Sequence, residues 1–377
     1  MIIEEKHQSF RNKIRDFAEE HIQPLAKEID EQQRFPHDSF KKLGQMGIMG
    51  MVVPPDYGGT GDDMITYAIA VEELSRVCGS TGITVAAHNS LAVYPLYLFG
   101  NEKQKKKYIP PLAKGEKLGA FGLTETGAGS DAGATKTTAE LKGDFYLING
   151  NKCFITNASV ADTLVITART DPGKGSKGIS NFILEKGMPG LSVGKKENKM
   201  GLRGSDTAEL VFENVKVPRE NLLGNEGEGF KQFLITLDGG RVSIGAMALG
   251  IAQGAYEKAT EYAKERIQFE KPIGYFQAIQ WKLADMATKI EAARHLIYHA
   301  AWLKDQNKPY IKESAMAKLY ASEVGSWVCH QAIQIFGGYG YLREYPLERY
   351  LRDIKLCEIG EGTSEIQRIV IARDILK

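Results

Sequence analysis

Hydrophobic side chains change their spacing twice along this chain, and this change constrains the fold more than any other feature. Up to about residue 117 they recur at helical intervals, as in Phe10, Ile14, Phe17 and Ile22. From there to about residue 223 they form short runs that are split by turn residues, which predicts strands. Helical spacing then returns and continues to the end of the chain.

This order predicts an α+β multidomain architecture. We expect an N-terminal α-helical domain at residues 1–117, a middle antiparallel β domain at residues 118–223 and a C-terminal four-helix bundle at residues 224–377. Several domains are also expected on length alone, because 377 residues exceed what one hydrophobic core usually serves.

Charge and composition exclude several classes of function. A formal net charge of +1 gives no field that would attract nucleic acid or an anionic membrane. No run of about 18 apolar residues is present, so we expect no membrane insertion. The four cysteines are scattered without a C-x-x-C pair, which favours a reducing compartment. The first seven residues lack a signal core and a transit pattern, so we expect a cytoplasmic location.

A candidate catalytic carboxylate, Glu361, lies between Gly360 and Gly362 just before a predicted helix. Ser364 and Gln367 fit a capping box at the start of that helix. A carboxylate on a turn walled by apolar residues would have its charged form disfavoured and its basicity raised. The alternative is a solvated acid in a first helical turn, where negative charge is favourable. These residues alone leave both interpretations open.

Two motifs are weaker. Residues 127–132 match G-x-G-x-x-A, but a strand pattern follows where a dinucleotide-binding fold needs a helix. The loop still offers backbone N–H groups to a phosphate or a flavin edge. His295 and His299 lie four residues apart on a predicted helix, yet no third ligand has matching spacing, so we expect no metal.

Three further segments could carry function or structure. Residues 238–241, Asp-Gly-Gly-Arg, interrupt a helical pattern and place Arg241 among apolar neighbours; the alternative is a helix bend with a surface ion pair. Residues 336–341 form a glycine-rich loop after a long helix, or only its C-cap. The connection from Arg266 to Gln277 could grip an anion.

Taken together, six segments in this order resemble the acyl-CoA dehydrogenase family over essentially the whole chain, and short-chain, butyryl-CoA-type members most closely. The segments are residues 122–131, 152–157, 199–207, 265–269, 334–340 and 361–368. The resemblance implies an α–β–α fold, one FAD per subunit and a homotetramer built as a dimer of dimers. It also implies oxidation of a short-chain acyl-CoA to the trans-2-enoyl-CoA, with electrons passed to electron-transfer flavoprotein.

By motif position, the resemblance implies that Glu361 removes the α-proton while hydride passes from the β-carbon to flavin N5. The base's own backbone N–H would help to hold the thioester carbonyl. In some members the base stands instead at the position of Gly240, which has no side chain here.

The same matching implies two sets of binding residues. The cofactor-binding set is Phe121, Leu123, Thr124, Ser130, Phe154, Thr156, Arg266, Phe269, Gln277, Gln334, Gly338, Thr363 and Glu365, of which Arg266, Phe269, Gln277, Gln334 and Gly338 would hold the adenosine diphosphate part from a neighbouring subunit. The substrate-binding set is Ser130, Asp238, Arg241 and Gly362.

Three positions depart from the family pattern. Thr126 replaces a common proline, Phe154 a common tryptophan and Gly360 a common tyrosine, and the last leaves the acyl preference open. His88, on a helix expected near the far end of the pocket, adds to that uncertainty. The acyl group could therefore be a short branched chain. Independent alternatives are an oxygen-using acyl-CoA oxidase on the same fold or a non-catalytic helical scaffold.

Overall fold

The computed structural model describes residues 3–377, so Met1 and Ile2, on which part of the leader-sequence expectation rests, lie outside it. The N-terminal part is helical, as predicted. Its helices are α1 Glu5–His21, α2 Ala26–Gln32, α3 His37–Gln45, α4 Met64–Val77, α5 Gly79–Ala86, α6 Tyr94–Phe99 and α7 Glu102–Ala113. Helix α4 is buried on every side, and Asp63 caps its start by accepting the backbone N–H of Thr66 at 2.8 Å. A π-helical segment, Ala87–Val93, joins α5 to α6.

The middle part forms one eight-stranded sheet. Its strands are β1 Gly119–Gly122, β2 Thr138–Lys142, β3 Phe145–Thr156, β4 Thr163–Arg169, β5 Ile179–Glu185, β6 Leu191–Lys196, β7 Thr207–Pro218 and β8 Leu222–Leu223. The strand order is β6-β7-β3-β2-β4-β5-β8, with β1 beside β4. Most pairs are antiparallel, as predicted, but β1 and β2 each run parallel to β4, so the sheet is mixed. In the sequence, at least one other strand separates β4 from each of these two strands, so no hairpin joins them to it.

The C-terminal part is a helical bundle, as predicted. It consists of α8 Gly229–Glu265, α9 Gln277–Asp305 and α10 Ile311–Phe336, followed by the shorter α11 Leu347–Ile354, α12 Leu356–Ile359 and α13 Ser364–Ile375; a small ribbon of β9 Ile267–Gln268 and β10 Lys271–Pro272 joins α8 to α9. Helix α13 packs on α10 and completes the bundle. Helix α8 is long and apolar enough to cross a membrane by length and composition, but most of its apolar stretch is buried inside the protein.

The predicted interruption at residues 238–241 is wrong, because α8 runs through them without a break. The two glycines instead make room for neighbours. A Cβ on Gly239 would lie 3.2 Å from Nζ of Lys304, and one on Gly240 would meet Glu361. Glycine weakens a helix interior by about 1 kcal/mol relative to alanine. The close approach of these side chains explains why the sequence has glycine here.

Hydrophobic packing joins the two helical parts. One core continues from Ile14 on α1 through α4 to α8, α9, α10 and Cys357, so the N- and C-terminal helices share it. The sheet has a separate core, and a third cluster, which includes Phe121, Val165 and Phe233, lies between the sheet and the helices. We propose domain boundaries after residues 117 and 223, where the sheet begins and ends. The site described next lies where these layers meet.

Candidate active site

Glu361 lies on a turn with unusual backbone geometry. Helix α12 ends at Ile359, Gly360 is extended, and Glu361 and Gly362 have φ values of 53° and 89°. A residue other than glycine rarely adopts positive φ, so the turn is strained and must be held by its surroundings. Such strain is typical of functional positions.

The predicted capping box at Ser364 and Gln367 is wrong. The N-cap is Thr363, whose hydroxyl accepts the backbone N–H of Ile366, and Ser364 is already helical. The amide of Gln367 instead points back and donates to the Gly362 carbonyl at 2.8 Å. The helix is thus capped by Thr363, one residue earlier than predicted, and the Gln367 side chain stabilises the Glu361 turn instead.

The carboxyl group of Glu361 is buried and has no hydrogen-bond partner on either oxygen within residues 3–377. Burial raises the pKa of Glu361 to about 7, although the nearby cations of Lys318 and Arg241 oppose the shift. A pKa near the working pH suits a group that must accept a proton and later release it. The solvated-acid alternative for Glu361 does not agree with this burial.

Helix α8 forms the wall that faces this carboxyl group. A Cβ built on Gly240 would lie 2.0 Å from Oε2 of Glu361 and 3.4 Å from Cδ2 of Leu91. Leu91 belongs to the π-helical segment Ala87–Val93, and such segments are often found at functional sites. The carboxyl group therefore points into a narrow space between α8 and this segment.

Two predicted substrate residues, Asp238 and Arg241, lie buried on α8 and form an ion pair of 2.5 Å. Burial raises the pKa of Asp238, while the Arg241 cation opposes the shift. Nε of Arg241 is buried and without a partner in the described chain, so it retains a donor for a ligand. Of the other two, Gly362 is on the Glu361 turn, and Ser130 is on an exposed loop of the β domain.

The predicted flavin-facing residues of the β domain come together at one end of β1 and β3. Phe121 is on β1, Leu123 and Thr124 follow it, and the Thr124 carbonyl accepts the N–H of Cys153 at 2.8 Å. Next to Cys153, Phe154 has a φ of 58° and is 64% exposed, so its ring stands out from the sheet. Thr156 ends the same strand, β3.

A buried lysine that sequence reasoning missed supports this loop. Nζ of Lys152 donates to Glu125 at 2.7 Å and to Thr167 at 3.0 Å. Glu125 also accepts the backbone N–H groups of Lys136 and Thr137, which fixes the return of the loop. The pKa of Glu125 falls to about 2 because the Lys152 cation and these hydrogen bonds outweigh its burial. Both residues lie inside the family segments, where their spacing gives no sign that they pair.

The residues predicted to hold adenosine diphosphate lie elsewhere on the surface. Arg266 and Gly338 line one open cleft of about 360 Å³, where the Arg266 guanidinium lies over the Tyr339 ring at 5.1 Å. Phe269 is 86% exposed, and Gln277 and Gln334 are also exposed. Within residues 3–377, no hydrogen bond or ring contact links these residues to the Glu361 turn.

The last two predicted cofactor residues are at the start of α13. Thr363 is its N-cap, and Glu365 is exposed in its first turn. Both follow the Glu361 turn directly. The predicted cofactor set therefore divides into a group on the β domain, a pair beside the candidate base and a separate exposed group, of which Arg266 and Gly338 line the open cleft.

These groups suit FAD. The β domain presents an exposed ring, and no atom lies within 4 Å of a Cβ built on Gly127 or Gly129, so a flat ligand can approach the backbone of that loop. The separate cleft offers a cation and an aromatic ring, which suit a phosphate and a base.

The histidines have other roles. Nδ1 of His88 accepts the N–H of Gly119 and its Nε2 donates to the Leu112 carbonyl, both at 3.1 Å, so His88 ties the helices to β1. Burial lowers the pKa of His88 to about 4. His299 stacks on Trp302, and no group of three or more possible metal ligands is found from residue 3 onward.

Comparisons with known proteins agree with this geometry. Sequence profiles of the acyl-CoA dehydrogenase N-terminal, middle and C-terminal domains match residues 4–116, 120–215 and 227–376. A short-chain specific acyl-CoA dehydrogenase of Clostridium acetobutylicum is 54% identical and is matched over 97% of each chain.

Two solved structures are similar throughout. Butyryl-CoA dehydrogenase from Megasphaera elsdenii is 47% identical, with a TM-score of 0.97 over 100% of this chain and 99% of that chain. A chain from a structure described as the electron transferring flavoprotein of Acidaminococcus fermentans is 53% identical, with a TM-score of 0.98 over 100% and 99% of the two chains. These matches confirm the predicted fold, the oxidoreductase class and FAD as the cofactor. The chain belongs to the acyl-CoA dehydrogenase family.

Proposed function

We propose that this acyl-CoA dehydrogenase oxidises short-chain acyl-CoA thioesters to trans-2-enoyl-CoA, with Glu361 as the base that removes the α-proton. The observation that carries the proposal is the buried carboxyl group of Glu361, whose two oxygens have no partner in the described chain. Its pKa of about 7 keeps it available as a base near neutral pH.

An α-C–H beside a thioester is a weak acid, so the carbonyl oxygen needs hydrogen bonds as negative charge develops on it. The backbone N–H of Glu361 donates no hydrogen bond within residues 3–377. Glu361, with its positive φ, carries both this N–H and the carboxyl group on the same turn. We infer that the N–H binds the thioester oxygen while the carboxylate of the same residue takes the proton.

The other residues of the site would bind and orient the cofactor and the substrate. When bound, FAD supplies the hydride acceptor. Thr156, Leu123 and Thr124 would hold its ring system from the β domain, and Nε of Arg241 would donate to the substrate. Leu91 and the wall of α8 keep the carboxyl group of Glu361 away from bulk water, which strengthens each electrostatic interaction in the site.

Short-chain specificity rests on relatives, since the Clostridium acetobutylicum enzyme is called short-chain specific and the Megasphaera elsdenii one acts on butyryl-CoA. Electron-transfer flavoprotein is the proposed electron acceptor, because a similar chain belongs to a structure described by that name. We also propose a cytoplasmic homotetramer.

Exposed apolar residues near the open cleft of Arg266 and Gly338 support the proposed homotetramer. Phe269 is 86% exposed and Tyr275 69% on the connection from α8 to α9, and Trp281 is 64% exposed near the start of α9. Surface of this kind usually marks an interface. Contact with a second copy would cover it and would bring Arg266 to the partner's cofactor.

The experiment is anaerobic bleaching of the bound flavin by a panel of acyl-CoA thioesters. We expect fast bleaching by butyryl-CoA, slower bleaching by branched four-carbon thioesters and little by long chains. Turnover with oxygen as sole acceptor would instead indicate an oxidase. A colourless protein that cannot be reconstituted with FAD would contradict the proposal and favour a non-catalytic scaffold.

A further inference from the structure

A lysine lies fully buried behind the Glu361 turn. Lys318 is on α10 with none of its surface exposed, and its Nζ donates to the Gly362 carbonyl at 2.7 Å. No carboxylate oxygen lies within 4 Å of this Nζ in residues 3–377, so it has no direct ion pair. Burying an ammonium group costs free energy unless a counter-charge or hydrogen bonds replace its hydration. A lysine buried here without an ion pair is therefore a candidate for a functional role.

The hydrogen bond from Lys318 is made to the strained turn that carries Glu361. Glu361 and Gly362 have successive positive φ values, and the Gly362 carbonyl accepts from both Lys318 and Gln367. The two donors come from different helices, α10 and α13. A carbonyl held from two sides cannot rotate freely, and Gln367 also donates to the Glu361 carbonyl at 3.4 Å, so both peptide groups that follow Glu361 are held in place.

The charge of Lys318 also reaches the carboxyl group. The Lys318 cation lowers the pKa of Glu361 and so opposes the effect of burial, and the Arg241 cation on α8 does the same to a smaller extent. The other titratable groups around the turn include Tyr67 on α4, Cys357 and Glu358 on α12, and Glu365 on α13. Burial lowers the pKa of Lys318 to about 8, which leaves it charged at neutral pH.

We propose that Lys318 is a positioning residue, which holds the Glu361 turn through the Gly362 carbonyl and keeps its charge behind the carboxyl group. The proposal rests on the proposed role of Glu361 as the base. Lys318 does not reach the substrate itself, and it acts through the geometry and proton affinity of Glu361.

Three variants separate the hydrogen bond from the charge. Lys318→Met removes both, Lys318→Gln removes the charge but retains a donor, and Lys318→Arg retains both. Gln367→Leu is the uncharged control, since it removes the other donor to the Gly362 carbonyl, together with a longer hydrogen bond of 3.4 Å to the Glu361 carbonyl, without removing a charge. Each is purified with FAD, and circular dichroism checks its fold.

The first readout does not depend on turnover. Infrared difference spectra against pH report protonation of Glu361, whose band is identified by its loss in Glu361→Gln. We expect the midpoint to rise by about one pH unit in Lys318→Met and Lys318→Gln, and to stay at the wild-type value in Lys318→Arg and Gln367→Leu. An unchanged midpoint in the two uncharged variants would overturn the proposal.

The second readout is the rate of flavin reduction by butyryl-CoA at a pH above both midpoints, where Lys318 also loses its charge, so the comparison reports the hydrogen bond to Gly362 and not the charge. There we expect Lys318→Met to remain at least about tenfold slower than wild type with little change in KM, and Lys318→Arg to recover most of the rate. Full recovery of Lys318→Met on raising the pH would contradict a positioning role. If Lys318→Met does not fold, Lys318→Gln provides the titration test. A wild-type protein that oxidises no acyl-CoA would refute the proposed function, whereas the infrared midpoints would still test the link between Lys318 and Glu361.

Discussion

Gly240 and Glu361 face each other so closely that a Cβ at position 240 would lie 2.0 Å from Oε2 of Glu361. Real Cβ atoms do not approach an oxygen at that distance, so the two positions share one space. The resemblance to the family identifies these same two positions as alternative places for the base. Their contact gives a physical reason why only one of them can carry a carboxylate.

The first prediction uses this shared space. Gly240→Ala should reduce activity strongly in the presence of Glu361, because the added methyl group displaces the carboxyl group. Gly240→Glu combined with Glu361→Gly should recover part of the flavin reduction rate, since a carboxylate then enters the same space from α8. Recovery should be incomplete, because Lys318 and Gln367 hold the original turn and not the new side chain.

The measurement is flavin reduction by butyryl-CoA in the double variant and in Glu361→Gly alone. The single variant provides the baseline without a base. A double variant no faster than this baseline would show that position 240 does not face the α-carbon.

The second prediction concerns stability and pH. Burial raises the pKa of Glu361 to about 7 in the folded protein, above an ordinary value of 4.5. The folded protein therefore binds this proton more tightly than the unfolded chain. The resulting stabilisation is complete below the unfolded pKa and is lost as pH rises through about 7.

Glu361→Gln cannot titrate, so wild type should lose about 2–3 kcal/mol of unfolding free energy relative to this variant between about pH 5 and pH 8. Urea unfolding of both proteins at the two pH values measures the difference. The difference between wild type and variant is taken at each pH. The new amide contributes equally at both pH values, so its cost cancels when the two differences are compared. Parallel pH profiles would mean that Glu361 does not have a raised pKa.

Sequence patterns predicted the layers of this protein well, because helical and strand periodicities are local. They did not predict that α1 and α4 share a core with α8 and α10, since this depends on contacts between distant segments. The Asp-Gly-Gly-Arg segment looked like a break in a helix, because glycine propensity cannot show that Lys304 and Glu361 fill the space above it.

The candidate site was predicted unevenly for the same reason. Glu361 was found from its flanking glycines and its family segment. The cap at Thr363 was missed because Ser364 and Gln367 satisfy the same spacing rule one residue later. Lys318 and Lys152 were missed because a buried lysine with a distant partner looks like any helix or strand residue in the sequence.

The third prediction concerns the separate cofactor group. Arg266→Ala should lower FAD retention and loosen the oligomer together, because ligand that binds only the assembled form stabilises it. Gel filtration with light scattering and the flavin-to-protein absorbance ratio measure the two effects. Lys258→Ala, which removes a partly exposed cation of α8, should change neither. A monomeric wild type that holds FAD tightly would contradict this prediction.

The fourth prediction concerns the acyl group. Across a chain-length series, kcat/KM should be greatest at about four carbons. A maximum at about eight carbons or beyond would contradict short-chain specificity. Gly360 allows a further check, because its φ of −69° suits any residue and a Cβ there would lie 3.4 Å from its nearest neighbour. Gly360→Tyr should keep the four-carbon maximum and lower the relative kcat/KM for branched thioesters.

The most direct measurement of the central claim is anaerobic stopped-flow reduction of the flavin by butyryl-CoA in wild type and Glu361→Gln. Glutamine preserves the volume of the side chain but removes its proton affinity, so substrate should still bind. The reduction rate should fall by several orders of magnitude while the substrate concentration for half saturation changes little. Rapid flavin reduction in Glu361→Gln would show that another residue is the base.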